Sequence, residues 1–191
     1  MGIKVVTQPQ NEPVSLPEAK LHLRVDGEDE DTLIESLIKT AREVAETSFT
    51  WRALATQTFE YTLDQFPRER FLYLPRPPLK TVESISYKDK TGTEMVLNAD
   101  RYIVDTAADP GRVVLEPEAS WPDVELYPAS AVRIRFTAGY DDNNIPESIK
   151  QGMLLMIGHW YENRETVIVG NVAREVPFAA EALLYPYRVW R

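Results

Sequence analysis

The chain contains no cysteine and only two histidines in 191 residues, His22 and His159. Without cysteine it can form no disulfide, no thiolate nucleophile and no zinc–thiolate site. Its eight glycines do not cluster into a phosphate-binding loop, a dinucleotide fingerprint or a nucleophile elbow. These absences exclude most enzyme classes that carry a recognisable sequence motif.

The sequence also lacks long apolar runs and an excess of positive charge. No stretch of about 18 apolar residues occurs and no signal-peptide pattern opens the chain, so we expect a soluble protein without a membrane span. Thirty acidic residues stand against twenty-one basic ones, which gives a formal net charge of -9. Because such a charge repels nucleic acid phosphate, sequence-specific binding of DNA or RNA is disfavoured.

The N-terminal segment predicts an arm followed by two helices. Residues 1–13 are polar and contain two prolines, which predicts an extended arm. Ser15 and Glu18 form a capping box that starts a short helix. Apolar residues then recur three and four apart, which predicts an amphipathic helix over residues 30–48. The acidic run at 26–31 fits a helix start better than a calcium loop, because its glycine comes too early.

The middle of the chain predicts β-structure. Its segments are rich in β-branched and aromatic residues, and some alternate apolar with polar residues, as half-buried strands do. Residues 75–78 contain three prolines and cannot lie inside a sheet, so they predict a stiff corner. We expect a small antiparallel sheet or sandwich. The predicted strands cover residues 58–63, 71–74, 82–87 and 132–136.

Helical periodicity returns at Pro146 and continues to about Tyr161. This helix is apolar nearly all the way round, so it must be covered on several sides, either by its own fold or by a neighbouring subunit. Residues 166–176 predict a loop or extended arm, and Pro177 opens a short last helix. The tail, residues 185–191, is aromatic and basic.

These elements predict an α+β fold in which a small helical base, formed by the N- and C-terminal helices, carries an inserted antiparallel β module. The base comprises residues 14–56 and 145–191, and the module comprises residues 57–144. A single α+β domain with one mixed core is the alternative that the sequence leaves open.

No catalytic, cofactor-binding or metal-binding residue is predicted. His159 and Glu162 lie three apart on a predicted helix, but a carboxylate-bridged metal site needs a second such pair, and the sequence has none. His159 is more typical of a buried, hydrogen-bonded histidine. A small hydrolase that uses His159 is the alternative from the enzyme class.

Aromatic and arginine residues near the C-terminal end are the best candidates for function, because these residue types are enriched in protein interfaces. Stacking of these aromatic residues on nucleic acid bases is a weaker interpretation, because the chain has an excess of acidic residues. For Trp160 and Tyr161, an ordinary position in the hydrophobic core is as well supported as an interface. The candidate interface comprises Leu33, Leu37, Trp160, Tyr161, Arg164, Tyr185, Tyr187, Arg188 and Trp190.

Many short segments, taken in their order and spacing, carry a resemblance to a known family. They are residues 14–20, 23–25, 29, 31, 33–34, 37–38, 41–42, 45–46, 63–67, 74–79, 136–140, 145–146, 159–165, 176–177, 183–184 and 186–188. In this order they resemble the head–tail connector proteins of long-tailed phages and prophages, also called adaptor or head-completion proteins. The resemblance is to the larger variant with a β insertion.

The resemblance implies a virion structural protein without catalysis and without a cofactor. Members of the family dock on the portal as a ring, commonly of twelve subunits, and join the DNA-filled head to the tail. The implied partners are further copies of the chain, the portal protein, and a tail or stopper protein. Genomic DNA passes through the ring without sequence-specific binding, and no membrane is involved.

The implied location is the neck of the virion, after assembly in the host cytoplasm. Ring closure requires two different faces of each subunit to meet. We expect these faces at the helix of residues 30–48 and at residues 153–165, with the tail after Pro177 binding the portal or a neighbour. The chain alone would be a monomer. Another neck or tail-completion protein is the alternative within the same class.

Overall fold

The computed structural model describes residues 1–164 and 178–190, which form two compact units. The β unit contains Met1–Pro9 and Thr56–Gly139, and the helical unit contains Gln10–Ala55 and Tyr140–Arg191. Neither unit is continuous in sequence, because the chain enters each of them twice. The predicted arm at 166–176 and the predicted helix start at Pro177 lie outside the described residues.

In the described part of the helical unit there are four α-helices. They are α1 (Leu16–Leu23), α2 (Asp31–Val44), α3 (Glu147–Glu162) and α4 (Phe178–Leu184). The Ser15 hydroxyl accepts a hydrogen bond from the Glu18 amide at 3.4 Å, and the Glu18 carboxylate accepts one from the Ser15 amide at 2.7 Å. The capping box predicted from the sequence is therefore present at the start of α1. After Val44 the chain continues as a π-helical segment, Ala45–Thr50.

The helix α3 lies at the centre of the core of this unit. Met153, Met156 and Ile157 on α3 are fully buried, in one cluster with Ile34 and Ile38 of α2. Buried residues of α1 and α4 belong to the same cluster. The nearly all-apolar helix is thus covered by its own chain. Ile34, Ile38 and Ala41 of the apolar stripe of α2 are core, so a ring face on this helix, which stays a prediction, would use its exposed residues.

The β unit contains two antiparallel sheets. The five-stranded sheet has the order β1-β2-β8-β4-β5, and the three-stranded sheet has the order β3-β7-β6. The strands are β1 (Gly2–Thr7), β2 (Gln57–Leu63), β3 (Phe71–Tyr73), β4 (Leu79–Lys88), β5 (Glu94–Val96), β6 (Tyr102–Asp105), β7 (Arg112–Leu115) and β8 (Val132–Ala138). The predicted α+β class, with its helical base and antiparallel β-structure, is confirmed.

Strand β8 is the middle of the larger sheet and its residues alternate between the two faces. Phe136 lies opposite Phe59 of β2, and the two rings stack with centroids 5.6 Å apart. Ile134 lies opposite Ile85 of β4, and both are fully buried. One face of the sheet is therefore core, as the alternating sequence of β8 predicts.

The N-terminal segment corrects one prediction. An extended arm is expected over residues 1–13, but Gly2–Thr7 is a strand at the edge of the larger sheet, hydrogen-bonded to β2. Val5 and Val6 are 41% and 39% exposed, and they are adjacent in sequence. The segment therefore lacks the alternation of apolar and polar residues by which a half-buried strand is recognised from sequence. Within residues 1–164 and 178–190, no helix has both the length and the apolar character needed to cross a bilayer.

Candidate interaction surface

All nine candidate interface residues lie in the helical unit, but they do not form one surface. Trp160, Tyr161 and Arg164 lie at the C-terminal end of α3, whereas the tail is attached near Ser148 at its first turn. At 1.5 Å per residue the two ends are about 20 Å apart. Leu33, at the start of α2, is 37% exposed and Leu37 packs against the core.

At the end of α3, Tyr161 and Arg164 meet a residue that the sequence did not single out. The Tyr161 hydroxyl and the Arg164 guanidinium both donate hydrogen bonds to the Glu30 carboxylate, the latter at 2.6 Å. The guanidinium also lies over the Tyr161 ring, 4.5 Å from its centroid. These three residues, the Glu30 cluster, tie the start of α2 to the end of α3. Tyr161 and Arg164 are thus already engaged within their own chain.

The electrostatics of the Glu30 cluster give a pH prediction. The Tyr161 hydroxyl, and next the Arg164 side chain, hold the pKa of Glu30 below its ordinary value. In the unfolded chain a glutamate has a pKa of about 4.3. When folding lowers the pKa of a carboxyl, its ionised form stabilises the fold at any pH above the unfolded pKa. This stabilisation is lost as the pH falls through the pKa of the folded state. We expect Glu30→Gln to lower the urea midpoint near pH 7, and the difference from the wild type to shrink below pH 4.

Glu162→Gln is the matched control, because Glu162 is an exposed glutamate of the same helix end. Its urea midpoint should follow that of the wild type across the pH range. Parallel profiles for Glu30→Gln and the wild type would show that the Glu30 cluster does not contribute to stability.

Hydrogen bonds attach the described part of the C-terminal tail, residues 185–190, to the rest of the helical unit. The Val189 amide donates to the Thr50 carbonyl at 2.8 Å, and Arg52 Nε donates to the Tyr187 carbonyl at 2.5 Å. The Ser148 hydroxyl donates to the Tyr187 hydroxyl at 2.9 Å. Tyr187 is consequently half-buried and serves as the anchor of the tail rather than as a free contact residue.

The residues on either side of this anchor point outward. Trp190 is 68% exposed and Tyr185 is 53% exposed, and their rings meet edge to face at 5.7 Å. The Arg188 guanidinium lies 5.1 Å from the Trp190 ring centroid. We call Tyr185, Arg188 and Trp190 the tail cluster. Tryptophan, tyrosine and arginine are the residue types most often found as interface hot spots, and here the three side chains contact one another within one chain.

The division between anchor and exposed cluster gives a stability prediction. Trp190→Ala should change the free energy of unfolding by no more than about 0.5 kcal/mol, because little of its surface is buried. Tyr187→Ala should lower it by about 1–3 kcal/mol, through the lost packing and the Ser148 hydroxyl left without its partner. Urea titration followed by circular dichroism measures both. Equal losses for the two variants would contradict this division.

The two histidines lie in helices. A Cβ at Gly158 of α3 would lie 3.3 Å from His22 Nε2, so this glycine permits the close approach of α1. His159 is half-buried, and its carbonyl accepts a hydrogen bond from the Asn163 side chain at 2.8 Å, which closes α3. In the part of the chain that is described, no group of three or more histidine, aspartate or glutamate side chains is arranged to hold a metal ion.

The sequence model of the head completion protein family matches residues 14–188. No curated protein sequence matches the chain. Among solved structures, a chain titled as the neck of an empty GTA particle computed with C6 symmetry is 25% identical, with a TM-score of 0.78. That match covers 100% of this chain and 97% of the other.

Two further structures have the same fold. A chain from the virion of a native gene transfer agent (GTA) particle is 24% identical, with a TM-score of 0.78. A chain from the neck of a native GTA particle, computed with C12 symmetry, is 24% identical, with a TM-score of 0.76. Each match covers 100% of this chain and 97% of the other. The β-structure is thus part of the shared fold, together with the helices.

Proposed function

Because this chain belongs to the head completion protein family, we propose that it docks on the portal as a ring and joins the DNA-filled head to the tail. The chain is a virion structural protein of the head–tail connector, located in the neck of the particle. The family match over residues 14–188 is the observation that carries this function. The resemblance seen in the sequence is confirmed by the same match.

A ring oligomer is supported by the symmetry of the similar necks, which were computed with C6 and C12. We propose twelve subunits, since a ring of twelve also satisfies sixfold symmetry. The helical base, residues 14–56 and 145–191, would form the ring, and the β module, residues 57–144, its outer surface. Identical copies that close a ring meet through two different faces.

Of the nine candidates, those with exposed surface are proposed for contacts with a neighbour or the portal. These are Leu33, Arg164 and the tail cluster. The other four candidates are half-buried and pack against the core of their own subunit, so they would act indirectly: Leu37, Trp160, Tyr161 and Tyr187. Their role is to hold the exposed residues in position.

We propose no catalytic step, because the sequence contains neither a nucleophile-elbow motif nor a phosphate-binding loop. Its C-terminal aromatic and arginine residues are instead of the types that are enriched in protein interfaces. The net charge of -9 is consistent with a channel wall for DNA. A negative surface repels the phosphate backbone, so the genome would pass without being held.

The test is to mix the purified chain with portal rings and to count bound copies by native mass spectrometry and electron microscopy. We expect saturation at one symmetric ring of chains on each portal. Binding to tail tubes with no binding to portal rings would support the neck or tail-completion alternative instead. Binding to neither would contradict a connector role.

A further inference from the structure

We propose that the tail cluster of one copy docks into a groove between α1 and α3 of the next copy. The inference rests on the proposed ring and names the two faces that would close it. One face is the tail cluster, Tyr185, Arg188 and Trp190. The other is a pair of adjoining cavities on the helical unit, which we call the α1–α3 groove.

The α1–α3 groove has an apolar floor that is large enough for an aromatic side chain. Its part nearest the C-terminal half of α1 is a cavity of about 340 Å³. Val14 and Leu154 line it and are 1% and 8% exposed, while Leu21 stands at its wall and is 82% exposed. A second cavity of about 500 Å³, lined mainly by residues 10–18 and by Glu35, Ile38 and Lys39 of α2, shares Val14, Glu18 and Lys150 with the first. An exposed leucine beside a concave apolar floor is a surface that a partner side chain can cover.

The charges around the groove are complementary to the tail cluster. Apart from Glu12, which pairs with the buried Arg42, carboxylates outnumber lysines by four to two in the combined lining. Lys150 lies between two of the carboxylates, 3.6 Å from Glu18 and 4.0 Å from Glu147, so its charge is shared. The tail cluster carries the positive charge of the Arg188 guanidinium beside the Trp190 ring. A second positive charge lies close by, because the Arg52 side chain donates a hydrogen bond to the carbonyl of Tyr187. The lining carboxylates are Glu12, Glu18, Glu35, Asp142 and Glu147, and the lysines are Lys39 and Lys150.

The two surfaces belong to different faces of α3, as a head-to-tail contact requires. Ser148 holds the tail through Tyr187, while its neighbour Glu147 lines the groove. Consecutive helix residues point about 100° apart, so the two surfaces face different directions. The hydrogen bond of Val189 to Thr50 keeps the tail on its own side. The occupant of the groove is therefore the tail of a second copy.

Two variants of the full chain separate the two faces. Trp190→Ala removes the centre of the tail cluster and leaves the groove intact. Leu21→Glu places a charge on the groove wall and leaves the tail intact. Both positions are mostly exposed, so both variants should fold, which circular dichroism checks. Sedimentation velocity measures self-association over a range of protein concentrations, and portal-ring binding is measured in parallel.

We expect the wild type to be monomeric when dilute and to form oligomers as its concentration rises, and we expect self-association about 30-fold weaker for each variant. An equimolar mixture of the two variants should recover one contact, between the tail of the Leu21→Glu chain and the groove of the Trp190→Ala chain. The mixture should therefore form dimers with the wild-type affinity and nothing larger. The matched control is Val96→Glu on β5, where a 69% exposed residue receives the same charge, and it should associate like the wild type.

A mixture that associates no better than either variant alone would overturn the inference, as would equal weakening by Val96→Glu. A wild type that binds portal rings but never self-associates would overturn it and leave the proposed function standing. Loss of portal binding by Trp190→Ala with unchanged self-association would assign the tail cluster to the portal and overturn it as well. Only a wild type that neither self-associates nor binds portal rings would remove the inference and the proposed function together.

Discussion

Replacing Arg42 by methionine is expected to lower the free energy of unfolding of the helical unit by about 3–5 kcal/mol. Arg42 is 3% exposed, and its guanidinium contacts Glu12 at 2.7 Å and Glu46 at 3.1 Å. Burial alone would lower the pKa of Arg42, but Glu46 and Glu12 outweigh burial and raise it. The substitution therefore leaves two carboxylates in a water-poor site without their cation.

A triple variant tests whether the loss comes from those stranded charges. Adding Glu12→Gln and Glu46→Gln to Arg42→Met removes the three charges in closest contact and leaves only the exposed Glu43, 3.7 Å from the Arg42 guanidinium in the wild type. It also keeps an amide oxygen at position 46 to accept the Leu54 backbone N–H, which now donates to the Glu46 carboxylate at 2.7 Å. We expect the triple variant to recover most of the lost stability, because a buried ion pair contributes little beyond an uncharged replacement.

Lys90→Met is the control for this comparison. It breaks the pair of Lys90 and Glu125, whose nitrogen and oxygen lie 2.6 Å apart but whose side chains are 68% and 75% exposed. An exposed pair contributes about 0–1 kcal/mol, so the loss should be small. Urea titration at pH 7 measures all three variants. A loss in Arg42→Met no larger than in Lys90→Met would mean that the buried network contributes nothing.

Gly111→Ala is expected to destabilise the β unit by about 3 kcal/mol, at the upper end of typical over-packing. A Cβ at Gly111 would lie 2.3 Å from the Cβ of Leu79, closer than any two unbonded carbons can approach. Neither residue can move freely, because Leu79 begins β4 and the Gly111 carbonyl accepts a hydrogen bond from the Leu74 amide at 2.8 Å. The backbone of one segment must therefore shift.

The identity of the clashing atom makes this prediction specific. Shortening Leu79 to alanine retains its Cβ, so Leu79→Ala should not rescue Gly111→Ala. Gly2→Ala is the matched control, since its new Cβ would lie 3.4 Å from the Thr62 hydroxyl oxygen, an ordinary contact. Thermal unfolding should separate the two alanine variants by several degrees. Similar melting temperatures would mean that the loop around Gly111 yields to the added methyl group.

The elements that could be predicted from the sequence are those specified by neighbouring residues. The capping box of Ser15 and Glu18 and the three- and four-residue spacing in α2 both act within one or two turns of helix. The core strands β2, β4 and β8 carry buried apolar residues, and each was located within a few residues of its observed ends. The family resemblance came from the order of such local segments.

What could not be predicted depends on contacts between distant residues. The three- and four-residue strands β5, β6 and β7 are too short to show a period of two. The engagement of Tyr161 depends on Glu30, 131 positions earlier, and Glu30 belongs to an acidic run that local reasoning assigns to a helix start. Tyr187 could not be told from Tyr185 or Trp190 by residue type, although its hydrogen bond to Ser148 gives it a different role.

The pairing of β1 with the larger sheet has a consequence for synthesis on the ribosome. This strand leaves the exit tunnel before its partner β2, which begins at Gln57, and before the middle strand β8, which ends only at Ala138. At 5–20 residues per second, on the order of 10 s passes before the sheet can close. During that interval Val5 and Val6 are in a nascent chain with no completed sheet. We therefore expect slowed elongation before β8 has left the exit tunnel to increase aggregation of the newborn protein, and slowing after β8 has emerged to have a smaller effect.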